Sequence, residues 1–110
     1  MEKRKEIYLV APDCSLKYAM SIIEENNHRC TIVVDNKNKV VGTLSDGDIR
    51  KYLLSNHLLT GKVKDVMNLN FRFLSEHNEA VAKEIFDKLH ISLIPVVDDD
   101  GLLIDIIEAF

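Results

Sequence analysis

Residues 30–50 read Cys30-Thr31-Ile32-Val33-Val34-Asp35-Asn36-Lys37-Asn38-Lys39-Val40-Val41-Gly42-Thr43-Leu44-Ser45-Asp46-Gly47-Asp48-Ile49-Arg50. Cys30–Val34 and Val40–Leu44 are β-branched runs of strand length, and the polar stretch between them, Asp35 to Lys39, reads as a turn. The pair predicts two antiparallel strands. The second leads into an amphipathic run with Ile49, Tyr52 and Leu53, so Ser45 stands where a strand ends and a helix begins, running to about Leu54.

Ser45 and Asp48 lie three apart at that junction, and the spacing supports two readings. One is a capping box, with Ser45 as the cap and Asp48 reaching back to it. The other is a nucleotide site. A helix start offers unpaired N–H groups and a positive dipole end to a phosphate, a hydroxyl can donate to the same phosphate, and a carboxylate one turn in can accept both ribose hydroxyls. A ligand can displace a cap, so the readings do not exclude each other.

Working outward, the same pattern recurs later in the chain at one constant offset. Asp35 pairs with Asp98, Val33 with Val96, Val34 with Val97, Ala19 with Ala82, Ile22 with Ile85, Tyr8 with Phe71 and Val10 with Phe73, in register with no gap. In the first copy, Met1–Glu6 is a charged, loose start and Ile7–Val10 a short strand. Pro12-Asp13 breaks it and Ser15 caps a helix whose apolar face is Leu16, Ala19, Met20 and Ile23, ending at Asn26-Asn27. Ser55–Lys64 reads as a linker with Gly61 near its middle. In the second copy, Phe71–Leu74 is a strand and Ala82, Ile85, Phe86 and Leu89 a helix face. Leu93–Val97 is a strand with Pro95 marking an edge or a distorted start. Asp98–Gly101 is a turn and Leu102–Ile107 the matching strand. A repeat of this kind fixes the architecture: an α/β (α+β) fold of tandem β-α-β-β-α units, residues 1–64 and 65–110. Each unit leaves an apolar sheet face, so the two pack sheet against sheet.

Composition bounds the function. The chain has 110 residues, 14 Lys+Arg against 18 Asp+Glu and a formal charge of −4, with no Lys/Arg run beyond Lys3-Arg4-Lys5. That argues against a general nucleic-acid surface. No apolar run approaches membrane-spanning length, and residues 7–11 are too short for a signal core. Two cysteines, Cys14 and Cys30, make no disulfide framework, and the default compartment is a reducing cytoplasm. Cys30 reads as a core residue and Cys14, with no partner base, as inert. The four histidines show no metal-ligand spacing, and His28 and His90 read as surface residues after helix ends. Asp98-Asp99-Asp100-Gly101 is a hairpin turn, since a calcium loop alternates its ligands over about twelve positions. No Gly-rich phosphate loop, nucleophile elbow or other catalytic constellation occurs.

The tandem resembles a cystathionine-β-synthase-type (CBS) domain pair, or Bateman module. Thr31–Asp35 and Ile94–Asp98, Gly42–Asp48, and Asp65-Val66-Met67 carry the likeness. The resemblance implies a homodimer formed through helix faces and adenine-nucleotide binding at Gly42-x-x-Ser45-x-x-Asp48, with Ser45 on phosphate and Asp48 on ribose. It also implies an adenine cleft between the repeats, with Val10, Ala11, Cys30 and Thr31 as wall candidates. Arg50 is a further phosphate candidate, because its guanidinium fork matches phosphate oxygens, and an exposed helix arginine is the alternative. No obligatory cofactor is implied. In the second copy Gly42 maps to Asp105 and Ser45 to Glu108, so that site is expected not to bind in the usual way, since a carboxylate repels phosphate. The chain stops at Ile106–Phe110 without a closing helix, and Gly42–Leu54 with the Asp105-Ile106-Ile107 ending resembles pairs that precede sugar-phosphate nucleotidyltransferase domains. The expected role is a regulatory module acting on a downstream enzyme in the same chain. The alternatives are a structural dimerisation module with an empty cleft and, more remotely, a small free-standing enzyme.

Overall fold

Two helices of equal length, at equivalent positions of the repeat, frame the molecule: α1 (Leu16–Asn26) and α3 (Glu79–Leu89). Each is capped by the residue type its sequence provides. Ser15 accepts from the Tyr18 N–H at 3.0 Å, and Asn78 accepts from the Val81 N–H at 3.1 Å, which satisfies donors a helix start otherwise leaves open. Each ends in a left-handed residue, Asn27 at φ 60° and His90 at φ 55°. The computed structural model describes residues 3–55 and 60–109, with side chains from Glu6 onward. His57 and part of the expected linker therefore lie outside the described residues.

The first half adds β1 (Leu9–Val10), β2 (Cys30–Val34), β3 (Val40–Ser45) and α2 (Asp46–Leu54), and the second adds β4 (Leu93–Val97) and β5 (Leu103–Glu108). β1 runs parallel to β2, β2 antiparallel to β3, and β4 antiparallel to β5. The repeat is kept in the register. Cys30 faces Ser45 and Leu93 faces Glu108, and both hairpins carry an irregularity at the same place, Val33/Val34 and Val96/Val97. The turns are copies as well. Asp35 Oδ1 accepts from the Lys37 and Lys39 N–H groups, and Asp98 Oδ1 from those of Asp100 and Leu102, all at 2.9 Å.

Among the described residues, three cores follow from the alternation of the strands. Val10, Leu16, Ala19, Ile22, Ile23, Val33, Leu44, Ile49 and Val63 pack on the helix side of the first sheet. Ala82, Ile94, Val96 and Ile107 do the same in the second half. Between the sheets, Tyr8 and Ile32 with Val40 meet Leu93, Val97, Leu103 and Ile106. This is the sheet-against-sheet packing that the repeat predicts, and burying both apolar faces drives it. The linker's return belongs to the first core: Val63 is fully buried, Val66 and Met67 pack beside it, and Val63 N–H donates to the Cys14 carbonyl at 2.9 Å.

Several expectations need correction. Lys3–Tyr8 is a 3-10 run rather than a loose start, so the first strand shrinks to Leu9–Val10. Phe71–Leu74 forms no strand. It contributes a single parallel bridge, Leu74 to Val96, where the ungapped repeat would place Phe73. The second half is thus one residue shorter before its helix, and Phe73 is left half exposed. Pro95 fits because its missing N–H falls on the side β4 turns to Leu74, where its carbonyl accepts from the Leu74 N–H at 3.0 Å. Met20 and Leu89 are exposed, and Ile22 completes the α1 face in place of Met20. His28 is buried at 5% exposure. It lies edge-on to the Tyr8 ring and 3.7 Å from Glu108 Oε2, so it is not a surface residue.

Candidate functional site

Ser45 and Asp48 form a complete capping box at the start of α2. Ser45 Oγ accepts from the Asp48 N–H and Asp48 Oδ2 accepts from the Ser45 N–H, each at 3.0 Å. The local sequence dictates this, and the strand register sets which way Ser45 points. Cys30 pairs with Ser45 and Ile32 with Thr43 across β2 and β3. Paired residues share a face of a sheet, and Ile32 lies in the core between the sheets. Cys30, Thr43 and Ser45 therefore face the other half of the molecule.

Gly42 makes room on the opposite side of its strand. A Cβ there would lie 3.0 Å from Met67 Sδ and 3.1 Å from the Asn68 carbonyl oxygen. The bare backbone lets Asn68 pair with Thr43, by hydrogen bonds of 3.2 Å from the Thr43 N–H and 2.7 Å from the Asn68 N–H. That pairing carries the second half's leading segment across the mouth of the first half's motif.

A cleft results. Its narrow part, about 190 Å³, is lined by Cys30, Thr43, Asn68, Asn70, Phe71, Arg72, Leu89, Ile91 and Leu93. Cys30 and Ile91 also line a broader polar cavity of about 620 Å³, with Asn27, His28, Arg29, Asp46, His90 and Ser92. Both halves supply walls, and the combined space falls in the range of small-ligand sites. Arg29 is held at φ 62°. Its carbonyl accepts from the Asp46 N–H at 2.9 Å, which ties the start of α2 to the start of β2. Cys30 is partly buried here, and burial pushes its thiol up to about 11, with the Asp46 and Asp48 charges adding to the rise against a lowering hydrogen bond from Ser92.

The remaining candidates lie elsewhere. Val10 and Ala11 line a separate open cavity of about 400 Å³ with Cys14, Tyr18 and Val34, at the far end of β2. Thr31 is fully buried on the helix side, and its hydroxyl donates to the Leu44 carbonyl at 3.3 Å. Arg50 is exposed on α2, and its guanidinium stays by the motif: a Cβ at Gly47 would lie 3.6 Å from Ser45 Oγ and 3.7 Å from Arg50 Nη2. Of the sequence candidates the cleft lining includes Cys30, beside Asp46 at the start of α2; Ser45 lies on the same side of the sheet without lining the cleft, and Gly42, Asp48, Arg50, Val10, Ala11 and Thr31 do not line it. Sequence reading missed Arg29, Asp46, Phe71, Arg72 and Ser92. The available signal was the repeat itself, since Ser92 occupies the repeat position of Arg29 and Phe71 that of Tyr8.

In the second half, Asp105 occupies the place of Gly42 and meets His77 Nδ1, while His77 Nε2 reaches Glu79 Oε1 at 2.8 Å. Glu108 occupies the place of Ser45, against His28. Side chains of this chain fill those two positions.

Residues 3–55 match the family model described as the CBS domain. The first half of the chain is a CBS domain. Arabinose 5-phosphate isomerase GutQ of Escherichia coli (strain K12) is 33% identical over 104 residues, covering 94% of this chain and 32% of that protein. An uncharacterized protein of Helicobacter pylori (strain J99) is 32% identical over 107 residues, 90% of this chain and 31% of its own length. The chain spans about a third of the length of these curated relatives. Among solved structures, CBSX2 in complex with AMP matches at TM-score 0.72 and 26% identity, covering 96% of this chain and 83% of that one. A CBS domain-containing protein of Bacillus anthracis matches at TM-score 0.77 and 22% identity, covering 98% and 81%. The CBS fold is thereby shared over nearly the whole chain.

Proposed function

We propose that this CBS domain pair is a regulatory module that senses an adenine nucleotide in the cleft between its halves. One observation supports the reading above the rest: Cys30, Thr43 and Asp46, the neighbours of Ser45 in the strand pairing and along the chain, border a two-part cleft whose narrow recess suits a base and whose open end carries Arg29. CBSX2, 26% identical, is described as an AMP complex. In this reading Ser45 meets phosphate with Arg50 beside it, Asp48 holds the ribose, and Phe71 and Ile91 flank the base. Residues 1–64 and 65–110 act as the two units, joined as a homodimer through helix faces, in a reducing cytoplasm.

The module modulates an enzyme that acts on sugar phosphates. The motif stretch resembles pairs preceding nucleotidyltransferases, and the curated relative GutQ is named a sugar-phosphate isomerase. Regulation follows from linkage, because a ligand that binds one arrangement of the halves better than another shifts the equilibrium between them. A preference of about 1.4 kcal/mol shifts it tenfold.

The test is thermal unfolding with AMP, ADP, ATP and S-adenosylmethionine. A rise in melting temperature with at least one of them at millimolar concentration, lost in the Ser45→Ala/Asp48→Ala variant, supports sensing. No shift with any of them favours a structural dimerisation module instead. The self-filled positions at Asp105 and Glu108 are what speak for that second reading.

A further inference from the structure

The repeat gives the narrow recess a counterpart on the other side of the molecule, and the run Lys3–Tyr8 stands in it. Val10 pairs with Val33 and Leu74 with Val96, and Val33 and Val96 are repeat partners, so after the one-residue slip Val10 and Leu74 share a place. Ile7 and Tyr8 therefore stand where Phe71 and Arg72 line the open recess. The strand walls correspond in the same way. Cys30, Thr43 and Leu93 line the open recess, and their repeat partners are Leu93, Ile106 and Cys30. Tyr8 packs in one core with Leu93 and Ile106, and Ile7 and Cys30 lie against it. We infer that the 3-10 run Lys3–Tyr8 is a built-in plug that holds a second, latent recess shut, with the Tyr8 ring as its occupant and Asn26 as the latch. The inference goes beyond the sensing reading and holds whether or not the open cleft takes a nucleotide.

Two differences between the copies decide which recess is open. Asn26 has Leu89 as its repeat partner, and His28 has Ile91. Tyr8, Asn26 and His28 are all buried. Asn26 Nδ2 donates to the Ile7 carbonyl and to the Cys30 carbonyl, each at 3.0 Å, while Asn26 Oδ1 accepts from the His28 N–H at 2.8 Å. One side chain thus ties the run to the end of α1 and the start of β2. Leu89 has no polar group with which to hold the corresponding segment, and it stays 42% exposed on the open recess. His28 meets the Tyr8 ring edge-on, with centroids 5.4 Å apart, an arrangement aromatic pairs favour. Ile91 offers aliphatic surface in its place.

The hydrogen bonds of a 3-10 run have poor geometry. Its seat therefore depends on the ring and the latch, and an element held by few contacts opens at less cost than the whole fold. The space that the Tyr8 ring leaves on opening has the shape of a planar aromatic group.

The experiment is native-state amide hydrogen exchange of the chain and of Asn26→Asp, read residue by residue. Aspartate keeps the acceptor for the His28 N–H and loses the donor to Ile7 and Cys30. The protection factors of the Ile7 and Tyr8 amides are expected to lie at least roughly tenfold below those of Ile32 and Val33, and Asn26→Asp to widen that gap by about tenfold, since two hydrogen bonds that fasten the run are gone. In Tyr8→Ala, millimolar p-cresol, the analogue of the lost side chain, is expected to raise the melting temperature by roughly 2 °C or more and to leave the unmodified chain unmoved. Equal protection of the run and the strands, falling together in Asn26→Asp, makes the run an integral part of the fold and overturns the plug. A gap unmoved by Asn26→Asp overturns the latch. A Tyr8→Ala chain that stays unfolded, or one that folds and gains nothing from p-cresol, overturns the latent recess.

Discussion

Lys39 and Leu102 face each other in an antiparallel bridge, and they are the same position of the two halves. Flanking hydrogen bonds obey the same relation. Val40 donates its N–H to the Gly101 carbonyl at 3.0 Å, and Leu103 donates its N–H to the Asn38 carbonyl at 2.9 Å. The junction is therefore a pseudo-two-fold contact made by the hairpin turns. It fixes how the halves sit, so a ligand between them meets walls whose spacing is set by backbone bonds.

Gly42 is where the first half admits the second. Gly42→Ala places a methyl 3.0 Å from Met67 Sδ and 3.1 Å from the Asn68 carbonyl. Backbone cannot yield as a flexible side chain does, so the variant is expected to lose about 1–3 kcal/mol in urea unfolding. Met67→Ala in the same chain relieves the sulfur contact and leaves the carbonyl one. The double variant should recover only part of the loss.

Ser45 serves the helix even without a ligand. Ser45→Ala removes the acceptor for the Asp48 N–H and should cost about 1 kcal/mol of stability. Ser45→Asn retains a capping oxygen and should cost less. Comparing both variants in chemical unfolding, then in nucleotide titration, separates the cap from the site.

His77 makes folding depend on pH. Its hydrogen bonds to Asp105 and Glu79 raise its pKa above the ordinary 6.5. A raised folded value means protonation favours the folded state. The contribution is complete below about pH 6.5 and is lost as pH rises through the raised folded value. The unfolding free energy of His77→Gln should therefore approach that of the unmodified chain on going from pH 6 to pH 9. A difference constant across that range would contradict the assignment.

Cys30 should be slow to alkylate. Its thiol titrates at about 11, chiefly because it is buried, and the thiolate is the reacting species. In a Cys14→Ser background, iodoacetamide labelling at pH 7.5 should be well below that of a free cysteine and should rise steeply toward pH 10. Nucleotide in the cleft should slow it further, because Cys30 lines both parts.

The parts of the fold that were legible are those set by local chemistry. The cap Ser15, the turns at Asp35 and Asp98 and both hairpins lie where residue type and spacing put them. Phe71–Leu74 misled because its aromatic pattern matches a strand, whereas pairing depends on the neighbouring chain. The one-residue slip from Phe73 to Leu74 moved that pairing. His28 reads as exposed from its place after a helix, and it is buried because Tyr8 and Glu108, distant in sequence, close over it. The same limit applies to the site. Ser45 and Asp48 announce themselves by spacing, while Arg29 and Asp46 meet through the folded first hairpin and Phe71 joins the cleft only when the halves pack.

The most direct test of the central claim is calorimetric titration of the chain with AMP, alongside Asp48→Ala. The account predicts one AMP per chain and an affinity at least tenfold weaker in the variant, about 1.4 kcal/mol. Saturable binding at two equal sites, or an affinity untouched by Asp48→Ala, would contradict it.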